Sequence, residues 1–512
     1  MKPDRDNVMR HSPIAFARPS IHRRTFLKHS LAAGAAVALS PTLKVLGAND
    51  DLRVAVVGFR GHGQTHIRNY LKMPNVRVVA LCDVDQAILD REVSRFKQRG
   101  QKVDAYRDLR RLLERNDVDA ISVATPNHWH ALATVLACQA GKDVCVEKPA
   151  SHGVWEGRKM VEAARKYGRI VQADLDQRSR PANDEAFEYL HGGSLGKILV
   201  ARGFCYKQRG GIGKTNGQGH IPETVDYDLW CGPAEKGPLD RSELHYDWHW
   251  VWNTGNGELG NNGAHQLDLI RWMLREPGVP RRVMSIGGRF GVDDAGQTAN
   301  TQLMLCEFPS APVIYEVRGL PGEPGGQQMD VYSAISATGV SIRNRWSGRG
   351  PNDGVIIECE GGYLDLGSWT AFDNAGKEIR TFTGEGPADP QASFIRAVRT
   401  RKHEDAKTDI EQGHLSACLS HLGNISHRVG KAAHPDALRE ALQGDRDGLE
   451  SLQRFADHLA VHHIDLAKTP ATLGPWLTLD AKTEQFTGPL AAEANTLLKR
   501  QYREPFVIPE EV

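Results

Sequence analysis

A glycine turn does most to limit what this chain can fold into. Arg53–Val57 is a short apolar run that reads as a strand, and Gly58-Phe59-Arg60-Gly61-His62-Gly63 follows it directly. Gln64–Leu71 then reads as a helix, stopped by Pro74. A tight turn between a strand and a helix lets backbone N–H groups approach a pyrophosphate at the positive end of the helix. The usual spacing is G-x-G-x-x-G. Gly58 and Gly63 hold its outer positions, Arg60 stands at the middle one, and Gly61 can take over the close approach. Val76–Cys82 reads as a second strand, and Asp83 ends it 20 residues after Gly63. A carboxylate there accepts the hydroxyls of an adenosine ribose. Val84 and Asp85 offer no arginine for a 2′-phosphate, so the turn predicts NAD rather than NADP.

Strand-like Ala120–Ala124 and Val144–Val146 flank a helix over His130–Ala140, which extends the alternation into a parallel, doubly wound sheet. After about residue 195 the rhythm changes. Ile198–Tyr206, Val283–Phe290, Gln302–Phe308, Val313–Val317, Val331–Ala337 and Val355–Cys359 read as strands with short turns, hence a largely antiparallel sheet. Gly210–Asn262, rich in Gly, Trp and His, reads as a long ordered loop that lines a site. Helices are predicted over Ala392–Arg399, Asp409–Val429 and Gly448–His463. The fold class is α/β, with a Rossmann domain over 51–175, an α+β substrate domain over 176–430 and a helical extension over 431–512.

The first 48 residues stand apart. Arg23-Arg24 and Lys28 precede a short apolar run from Leu31 to Leu39, and Pro41 and Ala48 follow. This is a twin-arginine signal peptide over 1–48, which predicts a periplasmic or secreted protein; a basic tail is the alternative. The apolar run is far short of the ~20 residues of a membrane span. With 64 Lys and Arg against 63 Asp and Glu, the charge balance argues against nucleic acid as the main partner. The eight cysteines are scattered without Cys-x-x-Cys or zinc spacing, so buried thiols are expected and no metal.

Four motifs carry a family resemblance: the glycine turn with Asp83, Ala124-Thr125-Pro126-Asn127-His128-Trp129-His130, Glu147-Lys148-Pro149, and Gly263-Ala264-His265-Gln266-Leu267-Asp268. Over about residues 52–430 the chain resembles the glucose–fructose oxidoreductase/inositol dehydrogenase/rhizopine-catabolism (Gfo/Idh/MocA) family. The resemblance implies that Thr125, Pro126, Asn127, His130, Glu147 and Lys148 surround the cofactor, with Lys148 facing the substrate as well. An ammonium at the reacting carbon stabilises a developing alkoxide or assists proton transfer. It implies that His265 takes a hydroxyl proton while hydride leaves the same carbon. The family pattern is Asp-x-Gly-x-His-x-x-Asp; this sequence keeps Gly263, His265 and Asp268 but has Asn261 in place of the first Asp. Asn261 holds no charge, so no carboxylate is in view to tune His265. Asn261, Asp268 and Trp248 are expected at the substrate. Trp248 belongs to Tyr246-Asp247-Trp248-His249-Trp250-Val251-Trp252, whose rings and polar tips suit a sugar; a packing cluster or subunit contact would use the same residues.

The expected activity is NAD-dependent oxidation of a sugar, polyol or glycoside with a tightly bound cofactor, in a homo-oligomer. The alternatives are an NAD-dependent glycosidase working by oxidation and elimination, and a non-enzymatic sugar- or NAD-binding protein.

Overall fold

The structure, a computed structural model, describes residues 51–343, 352–386 and 388–512. The signal segment over 1–48 lies outside the described residues.

Six parallel strands form the first sheet: β1 (Leu52–Val57), β2 (Val76–Cys82), β3 (Asp104–Tyr106), β4 (Ala120–Val123), β5 (Asp143–Glu147) and β6 (Val171–Asp174). Their order is β3-β2-β1-β4-β5-β6. The order reverses between β1 and β4, and the crevice beyond the strand ends at such a point is where doubly wound sheets bind ligands. β4 and β5 are buried at every position, as strands covered by helices on both faces must be. The helices that matter for the site are α1 (Gly63–Tyr70), α2 (Asn127–Gln139) and α3 (Val154–Lys166). α2 buries eleven of its thirteen residues, consistent with a sequence apolar on all sides.

The second sheet has twelve strands. It contains β7 (Ile198–Tyr206), β8 (Arg282–Gly288), β9 (Thr301–Glu307) and β10 (Pro312–Arg318). A separate small sheet pairs β11 (Ser333–Ile335) with β12 (Ser341–Arg343). β13 (Asn352–Cys359), β14 (Gly362–Asp365), β15 (Thr370–Asp373) and β16 (Glu378–Thr381) extend the large sheet from β7. Pairing is antiparallel except between β7 and β10.

Two helices bind the halves together. α5 (Gly263–Met273), preceded by the short α4 (Gly257–Asn261), and α6 (Ile410–Val429) bury Leu267, Ile270, Leu415 and Leu419 against Ala201, Val355 and Ile357 of the sheet. α6 also packs on α3 and β6 of the first sheet. α7 (Arg446–Val461) covers the opposite face with Leu452, Phe455 and Leu459. Past residue 430, where helices are expected, the chain also forms β17 (Lys431–Ala433), β18 (Ala471–Leu473), β19 (Leu477–Asp480) and β20 (Gln485–Thr487). β18 and β19 join the edge of the large sheet at β8. Strands of three or four residues carry too little alternation to be read from sequence.

All eight cysteines are buried thiols. Among the described residues no helix is long and apolar enough to cross a membrane.

Candidate active site

The crevice above β1 and β4 opens into a cavity of about 980 Å³ that runs from the glycine turn to the large sheet. Gly58 begins the turn with φ +74, in the left-handed region that glycine enters without penalty. A Cβ there would lie 2.9 Å from the Thr125 backbone nitrogen. A Cβ on Gly63 would meet the Gly58 carbonyl oxygen at 2.2 Å. Gly63 is therefore a packing glycine beneath the turn, while Gly58, Phe59, Arg60, Gly61 and His62 line the cavity. Gly61 faces open space, with nothing within 4 Å of an added Cβ.

Asp83 anchors this turn. Phe59 N–H donates to its Oδ2 at 3.0 Å and Asp85 N–H to its Oδ1 at 3.1 Å. Burial pushes the Asp83 carboxyl up to about 6, against the pull of those two amides. Thr125 Oγ1, on the same wall, is buried and has no hydrogen-bond partner among the described residues. A ribose hydroxyl or phosphate oxygen would satisfy it, and this orphaned hydroxyl beside an open turn fits a dinucleotide. Arg107, distant in sequence, also reaches this wall and donates to the Val84 carbonyl at 3.2 Å. An ionised carboxylate accepts ribose hydroxyls more strongly than a protonated one. Dinucleotide affinity should therefore fall as pH drops through about 6 in the native protein, and this step should vanish in Asp83→Asn; a fluorescence titration between pH 5 and 8 reads both.

Pro126 and Asn127 line the cavity at the start of α2, where Asn127 Nδ2 donates to Asn256 Oδ1 at 3.0 Å. His130, expected at the cofactor, is not on the wall. It is 1% exposed, with Nδ1 2.8 Å from the Pro149 carbonyl and Nε2 2.9 Å from that of Thr125. One helical turn into α2, it points back at the two loops that carry Thr125 and Lys148 and braces both.

Lys148 lies on the wall where β5 ends. Its Nζ donates to the Asn261 carbonyl at 3.0 Å and to Asn261 Oδ1 at 3.2 Å. Burial lowers its pKa below the ordinary lysine value, opposed by the charges of Glu147 and Glu258. Asn261 thus serves the lysine, and a neutral side chain suffices for that.

The carboxylate facing His265 comes from elsewhere. Asp176, in the short 3-10 turn after β6, sets Oδ1 3.1 Å from His265 Nδ1. The approach is off the ring N–H axis, so the two are in close electrostatic contact rather than an aligned hydrogen bond. Burial raises the Asp176 carboxyl, but His265 and Arg180 hold it well below the usual carboxylate range. Arg180 Nη2 is 2.8 Å from Asp176 Oδ2. Asp268, expected at the substrate, is fully buried away from the cavity. Arg178 Nε donates to both its oxygens at 3.0 Å, and Ser416 Oγ donates to Oδ1 at 2.7 Å. It pins α5 to α6; at i and i+3 of α5, His265 faces the cavity and Asp268 the core.

Behind Lys148 lies a buried charge cluster. His66 of α1 is fully buried, with Nε2 2.9 Å from Glu147 Oε1 and 3.0 Å from Asp174 Oδ2. Its Nδ1 is 2.8 Å from Ser122 Oγ. Burial opposes ionisation, yet the two carboxylates raise the imidazole to about 10, so an imidazolium sits between them. His62, His66 and Glu147 bring one ligand atom each within 4.8 Å of one another, a grouping that metal-ligand spacing rules did not bring out.

Trp248 lines the cavity and stacks on His249 at 3.6 Å between ring centroids. Tyr246 adjoins it, and Arg209 Nη1 donates to the Tyr246 hydroxyl at 2.7 Å. The 210–262 loop, broken by α4 and two other short helical turns, does wall the site. Sequence reading missed Asp174, Asp176, Arg180 and Asp353. The first two lie at and just past the end of a parallel strand, which is where ligand-binding side chains collect; nothing local marks the others.

Residues 52–175 match the oxidoreductase family's NAD-binding Rossmann fold, and residues 192–295 match its C-terminal alpha/beta domain. Residues 20–40 match a twin-arginine translocation pathway signal sequence, which directs the protein to the periplasm or outside. A glycosyl hydrolase family 109 protein of Shewanella baltica is 34% identical over 173 residues, covering 28% of this chain and 37% of that one. An alpha-N-acetylgalactosaminidase of Shewanella oneidensis is 32% identical over 173 residues, again 28% and 37%. The chain thus spans little more than a third of the length of the curated relatives it matches. The WlbA dehydrogenase from Bordetella pertussis, solved with NADH and UDP-GlcNAcA, shares the fold with a TM-score of 0.51 at 17% identity, over 72% of this chain and 94% of that one. With both domains matched in order behind an export signal, the chain belongs to the Gfo/Idh/MocA oxidoreductase family.

Proposed function

We propose that this cavity oxidises a hydroxyl-bearing carbon of a sugar, polyol or glycoside with tightly held NAD(H). One observation carries the reading: Lys148 and the His265–Asp176 pair line the same cavity as the glycine turn and Asp83. Residues 51–175 act as the cofactor domain, 176–430 as the substrate domain and 431–512 as an extension of it. Gly58–His62 and Asp83 hold the dinucleotide, with Thr125, Pro126 and Asn127 on its nicotinamide side. When bound, the nicotinamide supplies the hydride acceptor.

The chain's own residues handle the proton and the charge. Lys148 offers an ammonium to the substrate oxygen, oriented by the two acceptors of Asn261. His265, with Asp176 beside its Nδ1, leaves Nε2 to accept the hydroxyl proton. Trp248 and Tyr246 give the sugar an apolar face with polar edges.

Twin-arginine export carries the protein across after folding, so the cofactor travels inside it, and a ligand bound only by the folded state stabilises that state. The test is exhaustive dialysis of the native protein followed by a sugar panel. The nicotinamide signal should survive dialysis and change on adding a substrate. Its loss, with micromolar rebinding, would end the captive-cofactor reading and leave an ordinary dehydrogenase.

A second reading has support in the two glycosidase-named relatives. In that reading the same residues oxidise a ring carbon transiently, the aglycone is eliminated, water adds across the resulting double bond and the hydride returns. Release of nitrophenol from a nitrophenyl glycoside without net NADH would select it. Tight sugar binding with no turnover would instead select a binding protein. A homo-oligomer is the family's implication, and light scattering reads it.

A further inference from the structure

β13 alternates cleanly. Val355, Ile357 and Cys359 point into the core shared with α5 and α6, and Ile356 points to the other face. By the same period of two, Asp353 stands at the end of the α5-facing row. It pairs in register with Cys205 of β7 and lines the cavity beside His265 and Gln266. A carboxylate that closes an apolar row is costly to place there unless something meets it.

The charges nearest the reacting end of the cavity have partners. Glu147 and Asp174 share His66. Asp176 has His265 and Arg180, and Lys148 has Asn261. The Asp353 side chain receives no hydrogen bond or ion pair among the described residues. Burial raises its pKa; the more distant charges of His265 and Lys207 pull it down, and those of Glu258 and Asp176 push it up. Its oxygens are open to the cavity as acceptors.

We propose that Asp353 determines substrate specificity in this cavity: its carboxylate accepts hydrogen bonds from the hydroxyls of a neutral sugar and repels sugar acids. The proposal rests on the oxidoreductase reading above. A carboxylate is acceptor-only and takes two neighbouring hydroxyls at once. An anionic substrate at the same place would meet Asp353 and Asp176 together, and like charges in a desolvated site disfavour each other strongly. Lys148 and His265 act at the reacting carbon; Asp353, on the sheet, acts on the rest of the ring.

The experiment titrates the mature holoenzyme, native and as Asp353→Asn and Asp353→Ala, with D-glucose, D-galactose and N-acetyl-D-galactosamine, then with D-glucuronate and D-galacturonate. Nicotinamide and tryptophan fluorescence report binding, and turnover is followed on whichever sugar reacts. The native protein should bind a neutral sugar at least ~10-fold better than the acids. Asp353→Asn should weaken that sugar by about 10-fold, raise KM far more than it lowers kcat, and narrow the neutral-to-acid ratio. NAD(H) retention should not change. The Asn variant keeps the shape of the side chain and guards against a folding loss in the Ala variant. Equal sugar affinity in Asp353→Asn and the native protein, or native preference for a uronate, overturns the proposal alone. A native protein that answers to no sugar of either kind overturns it together with the oxidoreductase reading.

Discussion

Lys148→Ala should retain its nicotinamide signal through gel filtration and lose turnover by ~10²-fold or more, the usual worth of a positioned charge or proton partner. The ammonium is tied to both acceptors of Asn261 and to no phosphate-binding element, so its removal spares the dinucleotide. Lys148→Arg should not restore activity, because a planar fork cannot occupy the place of a compact ammonium. The sign of the pH dependence follows from the burial of this lysine. Its pKa lies below 10.5, the protonated form is the active one, and activity should therefore fall on an alkaline limb below pH 10.5. His265→Ala should lose a similar factor. Asp176→Asn should lose less, because the imidazole remains and only the carboxylate beside it is gone. Near-native turnover in Lys148→Ala on the true substrate would falsify the assignment.

His66→Leu should cost about 3–5 kcal/mol of stability, the range for removing one partner of a buried ion pair. The leucine leaves Glu147 and Asp174 facing each other in the interior without the imidazolium that separates them. Adding Asp174→Asn to that variant should recover part of the loss. Urea denaturation measures both, and a ΔΔG under 1 kcal/mol for His66→Leu would mean that the cluster is not charged as described. The pH window is also fixed. The folded pKa of His66 is raised from 6.5 to about 10, so its contribution is complete below pH 6.5 and is lost as pH rises toward 10. His66 holds Glu147 below its ordinary 4.5 despite burial, so the contribution of Glu147 is complete above 4.5 and is lost as pH falls beneath it. The gap between native and His66→Leu stability should be widest below about pH 6.5 and above the acid range in which Glu147 and Asp174 take up protons; burial and the Glu147 charge raise the Asp174 carboxyl. The same substitution should also lower activity, since Glu147 adjoins Lys148 and its Oε2 accepts the Lys148 N–H at 3.1 Å.

Much of this protein is local in its causes and was legible in the chain. The Gly58–Gly63 turn, the strands around it and Asp83 follow from backbone sterics and the hydrophobic period, which act over a few residues. β7 runs over Ile198–Tyr206 as the pattern predicts. Lys148 and His265 were found through short motifs, and they do line one cavity. The errors have one kind of origin. Asp268 and His130 belong to those motifs, but a motif gives spacing and not direction. Which side of α5 meets Arg178 and which side of α2 meets Pro149 depends on chain 90 and 19 residues away.

Only the tertiary structure decided how the charges are paired. Sequence left His265 without a carboxylate, because Asn261 stands where the family has Asp. The fold supplies Asp176 from the end of β6 and gives Asn261 to Lys148 instead. His66, Glu147 and Asp174 come from a helix and two strands over more than a hundred residues, and no local rule joins them. Asp353 is one unremarkable acid in the chain until the register of β13 against β7 sets it beside His265 on the cavity wall. Electrostatic partnership depends on separation in space and on burial, and the chain alone fixes neither.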